Sequence, residues 1–259
     1  AAESAGQRYA LLVGVGAYAE LRKLEGPPND VSAMKQALAA WGFDQITILQ
    51  DAQATRAAIL EKLDTLAKEA EPGSQVLFYF SGHGTSPVDP KFGAALALPH
   101  TTGALLPYDA RKSGDPSAIR RSLLIGREDL RPRFEALDRK GVHLTVWIDA
   151  CFSENSTHSL AGLTARAESI PGFNPGSLGS GSGGYEAYPY KNAVTLAASA
   201  ANQTAVDIDE KTIRHYPTRD GRAHGAFSDA LLRALNDRSL PGYGVLDRNG
   251  DGGVSVEEF

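Results

Sequence analysis

Cysteine is nearly absent: 259 residues contain one, Cys151. That excludes an internal disulfide framework and a zinc site built on several thiolates. Basic clusters are missing as well. The formal net charge is −5 and no Lys/Arg-rich run stands out, which argues against a general nucleic-acid binder. No run of about 18 apolar residues occurs, so no membrane-spanning helix is expected. The chain opens Ala-Ala-Glu-Ser-Ala-Gly with no Met, which suits a mature exported chain or a trimmed cytoplasmic one. What remains is ordinary globular material, 42% apolar and 22% charged, long enough to bury a full core.

Two apolar runs dominate that material. Val76-Leu-Phe-Tyr-Phe-Ser-Gly-His-Gly84 ends on a histidine, and Leu144-Thr-Val-Trp-Ile-Asp-Ala-Cys-Phe-Ser153 ends on the single cysteine. Both read as buried strands that stop where a reactive side chain surfaces. Around them, Tyr9-Ala-Leu-Leu-Val-Gly-Val-Gly16 predicts a first strand. Gly26-Pro-Pro-Asn-Asp30 follows as a loop, with Asn29 or Asp30 capping a helix over 31–41. A strand over 45–49 and a helix over 55–70 come next, the helix marked by Ile59, Leu60, Leu63 and Leu66. Residues 92–98 read as a strand, 105–109 as a compact turn, 127–139 as a helix, 193–199 as a strand and 225–236 as a helix. Alternation of strands and helices predicts an α/β fold with a mostly parallel sheet. In such sheets ligands bind beyond the carboxyl ends of the strands.

A thiolate is the nucleophile of cysteine chemistry, and a neighbouring imidazole serves as its base and later as an acid toward the leaving amine. Taken singly, Cys151 reads equally well as a small buried residue and His83 as a hydrogen-bonded structural one. Taken together they form a candidate dyad. Small neighbours (Ser81, Gly82, Gly84, Ala150) leave room for a substrate backbone, and the N–H groups of Gly84 and Cys151 are candidates for an oxyanion hole.

Ser81-Gly-His-Gly84 and Asp149-Ala-Cys-Phe-Ser153, each after a strand, resemble the motifs of metacaspases and related bacterial caspase-like cysteine peptidases. Asn29-Asp30, Leu106-Pro-Tyr-Asp109, Ala198-Ser199 and Gly225-Ala-Phe-Ser228 agree in order, so the resemblance covers roughly 8–236. It implies a caspase-like fold with helices on both sheet faces, a peptidase domain over 8–240, and catalysis by His83 and Cys151. Animal caspases carry Gln-Ala-Cys where this chain has Asp-Ala-Cys, a departure that favours the metacaspase side.

Asp149, two residues before Cys151, would lie near the pocket for the residue preceding the cleaved bond. The family's pocket acid maps onto Asp30, and Ser199 is a further lining candidate. Two carboxylates in a partly desolvated pocket favour Arg or Lys and repel Asp. The plain alternatives are an N-cap role for Asp30 and a loop-orienting role for Asp149. The expected partners are therefore proteins or peptides with a basic residue at the cleaved position, acted on by a monomer, with no nucleic acid and no membrane.

Two segments lie outside that core. Residues 172–184, rich in Gly and Ser, read as a flexible linker where the family carries its processing segment, with Arg166 and Lys191 flanking it as candidate self-cleavage positions; an uncut surface loop is the equal alternative. Asp247-Arg-Asn-Gly-Asp-Gly-Gly-Val-Ser-Val-Glu-Glu258 fits a twelve-position EF-hand loop, with Asp247, Asn249, Asp251, Gly253, Ser255 and Glu258 as oxygen donors for Ca²⁺. Residues 245–259 thus read as a cut-short calcium unit, and Pro241-Gly-Tyr-Gly244 interrupts any entering helix. No organic cofactor is expected. The reading as a whole is a Cys/His endopeptidase, calcium-regulated and self-processed. Its rivals are a silent caspase-like scaffold and a calcium-responsive interaction module.

Overall fold

The computed structural model describes residues 6–85, 103–151, 164–166, 190–198 and 205–236. The expected strand at 92–98, the linker at 172–184, Ser199 and the calcium loop lie outside the described residues.

Five parallel strands form the central sheet in the order β2-β1-β3-β7-β9: β1 (Arg8–Gly14), β2 (Gln45–Gln50), β3 (Gln75–Ser81), β7 (His143–Asp149) and β9 (Ala193–Ala197). β1, β3 and β7 are apolar on both faces because helices cover both. β2 alternates Gln and Thr with Ile and Leu, as an edge strand should.

Chain order dictates which helix covers which face. From β1 the chain moves outward to β2 through helix α1 (Gly26–Ala40), then turns back past β1 to β3 through helix α2 (Arg56–Glu69). Right-handed crossovers in opposite directions place their helices on opposite faces. Accordingly Val31, Met34 and Leu38 of α1 pack with Ala10, Leu12, Leu77 and Tyr79. Ile59 and Leu63 of α2 pack with Leu11, Val13, Phe78 and Phe80. Helix α4 (Arg131–Arg139) joins the α2 face through Phe134 and Leu137, whereas helix α5 (Ala226–Asn236) joins the α1 face through Leu231 and Leu232. The strand order reverses between β1 and β3, and that switch point opens a crevice at the carboxyl edge.

Two small antiparallel sheets stand over this edge. One joins β4 (Gly84–Thr85), β5 (Ala104–Leu105) and β6 (Leu124–Ile125). The other joins β8 (Thr164–Ala165), β10 (Val206–Ile208) and β11 (His224–Gly225). Strands this short escape detection by periodicity.

Helix boundaries differ from the sequence expectation in two places. α1 begins at Gly26 rather than 31, because Pro27 and Pro28 occupy the first-turn positions where a missing N–H costs nothing. Asn29 and Asp30 therefore lie inside the helix, as its fourth and fifth residues, and neither caps it. Toward α4, residues Gly126–Leu130 form a π-helical turn, and the α-helix starts at Arg131, again with a proline in its first turn. Between them and β5 a short helix α3 (Pro116–Arg121) is capped by Asp115. Among the described residues no helix is long and apolar enough to cross a membrane.

Candidate active site

β3 and β7 are hydrogen-bonded neighbours with Ser81 opposite Asp149. His83 and Cys151 each follow two residues later, so the register delivers both to the same edge, at the end of adjacent strands. Both are fully buried.

The loop after β1, together with Leu106 just past β5, holds His83. His83 Nε2 faces the Arg22 carbonyl at 2.9 Å. A carbonyl accepts only, which assigns the proton to Nε2 and leaves Nδ1 as the proton-accepting nitrogen of the neutral ring. The His83 N–H donates to Tyr18 Oη at 2.7 Å, while Tyr18 in turn donates to the Leu106 carbonyl at 3.0 Å. The two rings stack at 4.9 Å between centroids. Tyr18 and Arg22 carried no sequence signal, since both sit in the loop between β1 and α1. On the thiol side, the Ala205 N–H donates to Cys151 Sγ at 2.7 Å.

Into this crevice the chain inserts its own residues 164–166. Thr164 and Ala165 pair antiparallel with Asp207 and Val206 of β10. The Arg166 N–H donates to the Ala205 carbonyl at 3.0 Å, and the Arg22 guanidinium donates to the Ala165 carbonyl. The Arg166 carbonyl oxygen accepts from the N–H groups of both Gly84 and Cys151, at 3.1 and 3.3 Å. Such convergence of two backbone donors on one carbonyl, beside a cysteine, is what a peptide bond meets when it is about to be attacked.

The Arg166 side chain is completely buried. Its Nη1 donates to Ser81 Oγ at 2.7 Å and to the Asp149 carbonyl at 3.2 Å. Its Nη2 donates to Asp30 Oδ2 at 2.9 Å and to Asp207 Oδ1 at 2.7 Å. Asp149 Oδ2 adds a charge contact at 3.3 Å. Burying a lone guanidinium would cost several kcal/mol, and these carboxylates offset it. Although desolvation opposes its charge, Asp149, Asp30 and Asp207 together push the Arg166 pKa still higher, so it stays protonated. Asp30 and Asp149 thus meet on one arginine.

Asp207 was not anticipated. It serves a second purpose, accepting the N–H groups of Glu25 at 2.9 Å and Gly26 at 3.2 Å, which caps the start of α1. Asp149 also has two employments: its Oδ2 accepts from the N–H and hydroxyl of Ser228 at the start of α5. Asp30 is braced by His224, whose Nδ1 lies 2.7 Å from Asp30 Oδ1 and whose Nε2 lies 3.1 Å from Asp220. Burial works against a charge on His224, but its bonds to the two carboxylates outweigh this and raise its pKa. The other flanking candidate, Lys191, is exposed and precedes β9, at the amino-terminal edge of the sheet, opposite the edge where Cys151 emerges. Among the described residues no cluster of His, Cys, Asp and Glu is arranged to hold a metal.

The family model Peptidase_C14, caspase domain, matches residues 7–246, and the chain belongs to that family. Metacaspase-1 of Lodderomyces elongisporus is 39% identical over 87 residues, 30% of this chain and 19% of that protein. Metacaspase-1A of Aspergillus fumigatus is 30% identical over 160 residues, 57% of this chain and 35% of that protein. The chain therefore spans only a minor part of the length of these curated relatives. Among solved structures, protein GSU0716 from Geobacter sulfurreducens superposes with a TM-score of 0.56 over 88% of this chain and 81% of that one, at 19% identity, a likeness of fold.

Burial, partly opposed by Arg166 and reinforced by Asp30, pushes the Asp149 pKa up from 3.8 to about 6. Its Oδ1 is buried and has no hydrogen-bond partner among the described residues. A carboxyl group whose pKa is higher folded than unfolded contributes stability that is complete below the unfolded value and lost as pH rises through the folded one. Denaturant unfolding between pH 4 and 6 is expected to show the wild type losing stability with rising pH relative to Asp149→Asn. Parallel pH dependences for the two proteins would contradict this.

Proposed function

We propose that the protein is a cysteine endopeptidase that cleaves after arginine or lysine, with Cys151 as nucleophile and His83 as base and acid. The observation that carries this is the seating of Arg166: its side chain among Asp30, Asp149 and Asp207, and its carbonyl oxygen between the N–H groups of Gly84 and Cys151. A substrate arginine in the same seat would present its carbonyl carbon to the thiol.

The steps follow from that placement. His83 takes the thiol proton through Nδ1, and Cys151 Sγ bonds to the carbonyl carbon. The oxygen then carries negative charge, which the Gly84 and Cys151 N–H groups stabilise. When the C–N bond breaks, the departing amine takes its proton from His83. Water, deprotonated by His83, attacks the resulting thioester, releases the carboxylate product and returns the proton to sulfur.

The same seating supports self-processing at the Arg166–Ala167 bond rather than after Lys191. While Arg166 fills the pocket, no arginine of another chain can enter, so the uncut protein is held latent by its own segment. The C-terminal loop is proposed as a separate Ca²⁺ site with regulatory effect. Its donor set of Asp247, Asn249, Asp251, Ser255 and Glu258 side chains and the Gly253 carbonyl is all oxygen, the chemistry a hard cation takes.

Fluorogenic peptides ending in Arg, Lys or Asp, offered with and without Ca²⁺ to protein already cut after Arg166, test the proposal. Turnover is expected after Arg or Lys, none after Asp, and none in Cys151→Ala. Loss of any Ca²⁺ effect in Glu258→Gln would assign it to the loop. Turnover that persists in Cys151→Ala, or a preference for Asp, would overturn the reading; a Ca²⁺ effect unchanged in Glu258→Gln would remove the loop from it.

A further inference from the structure

The pocket's shape discriminates more finely than its charge. All four N–H bonds of the two Nη atoms of Arg166 are used, and they point to opposite sides. Nη1 is served by Ser81 Oγ and the Asp149 carbonyl, Nη2 by Asp30 and Asp207. Ser81 fits this role because its own hydroxyl proton goes to Asp30 Oδ2 at 2.7 Å, which turns its lone pairs toward Nη1. A lysine with the same backbone placement ends at the position of the arginine Cζ. Its single nitrogen then falls about 1.3 Å short of either Nη position. It can approach one side only by abandoning the other, whereas a planar fork serves both.

Two neighbouring glycines set the room on one flank of that fork. A Cβ on Gly26 would lie 2.5 Å from Nη2 and 2.4 Å from Asp207 Oδ1. One on Gly225 would lie 2.6 Å from Cζ and 2.7 Å from Nη1. The guanidinium therefore lies directly against these two backbones, with no space for another carbon between them and it. A methyl group on either Nη would displace a hydrogen bond and meet this wall.

Resting on the peptidase reading, we infer that this site selects arginine over lysine and rejects arginine methylated on its terminal nitrogens, with Gly26, Gly225, Ser81 and Asp207 as the determinants. Methylation of an arginine in a protein substrate would then protect the following bond from cleavage.

The test uses the protein after cleavage at Arg166 has been verified by intact mass, and peptides identical except for the last residue: Arg, Lys, Nω-monomethyl-Arg or citrulline. A hydrogen bond to a charged group contributes about 1.5–3 kcal/mol, so kcat/KM is expected to fall by about 10- to 100-fold from Arg to Lys, and by at least as much to Nω-monomethyl-Arg. Citrulline, which keeps the shape and lacks the charge, is expected to give no turnover. A Gly26→Ala variant should lose more on Arg than on Lys and so narrow the ratio; if it does not fold, the peptide series alone decides. Lysine cleaved as well as arginine, or the methylated residue accepted, would overturn the inference and leave the peptidase reading intact. Absence of turnover on every basic peptide would overturn both.

Discussion

A positive charge with no water around it must be matched by negative charge held in place, and the Arg166 guanidinium imposes that demand here. Three carboxylates from distant parts of the chain answer it: Asp30 from α1, Asp149 at the end of β7, and Asp207 from β10. Each is itself anchored, Asp149 on the start of α5, Asp207 on the start of α1, and Asp30 by His224 and Ser81. The pocket is thus also the junction where two helices on one face of the sheet begin. Removing one carboxylate would loosen a helix start as well as a charge, which ties the site's chemistry to the fold's integrity.

The sheet supplies the rest. Because Ser81 and Asp149 are register partners, equal spacing carries His83 and Cys151 side by side. A slip of one residue would turn the whole alternation inside out and is opposed by apolar packing on both faces. Above the edge, β10 offers its hydrogen-bonding side to an incoming strand, and residues 164–165 take it up antiparallel. Strand addition fixes the backbone, the acidic pocket fixes the side chain, and the two N–H groups fix the carbonyl.

Much of this was legible in the residues alone. Strands over 9–16, 76–81 and 144–149 stand out because buried parallel strands are continuous apolar runs, and the strand over 45–49 by its alternation; the structure has β1, β3, β7 and β2 there. The convergence of Asp30 and Asp149 followed from the family resemblance. The start of α1 departs from the capping preference of Asn29 and Asp30, because Pro27 and Pro28 initiate the helix ahead of them. Asp207 and Tyr18 were invisible for another reason. Asp207 lies in a three-residue strand and Tyr18 in a loop, where no periodicity marks them, and only tertiary folding brings them to Arg166 and His83. Arg166 stands out in the sequence only by its position near a Gly/Ser-rich segment, and nothing in a linear reading indicates that it sits among Asp30, Asp149 and Asp207.

The account stands or falls on Arg166 being a substrate residue of its own chain. Intact-mass analysis and amino-terminal sequencing of the purified protein, incubated over time beside Cys151→Ala, address this directly. The account predicts a fragment beginning at Ala167 in the wild type and none in the variant. An uncleaved wild type whose isolated site nonetheless turns over arginine peptides, or a fragment that forms equally in Cys151→Ala, would show that Arg166 is a structural buttress.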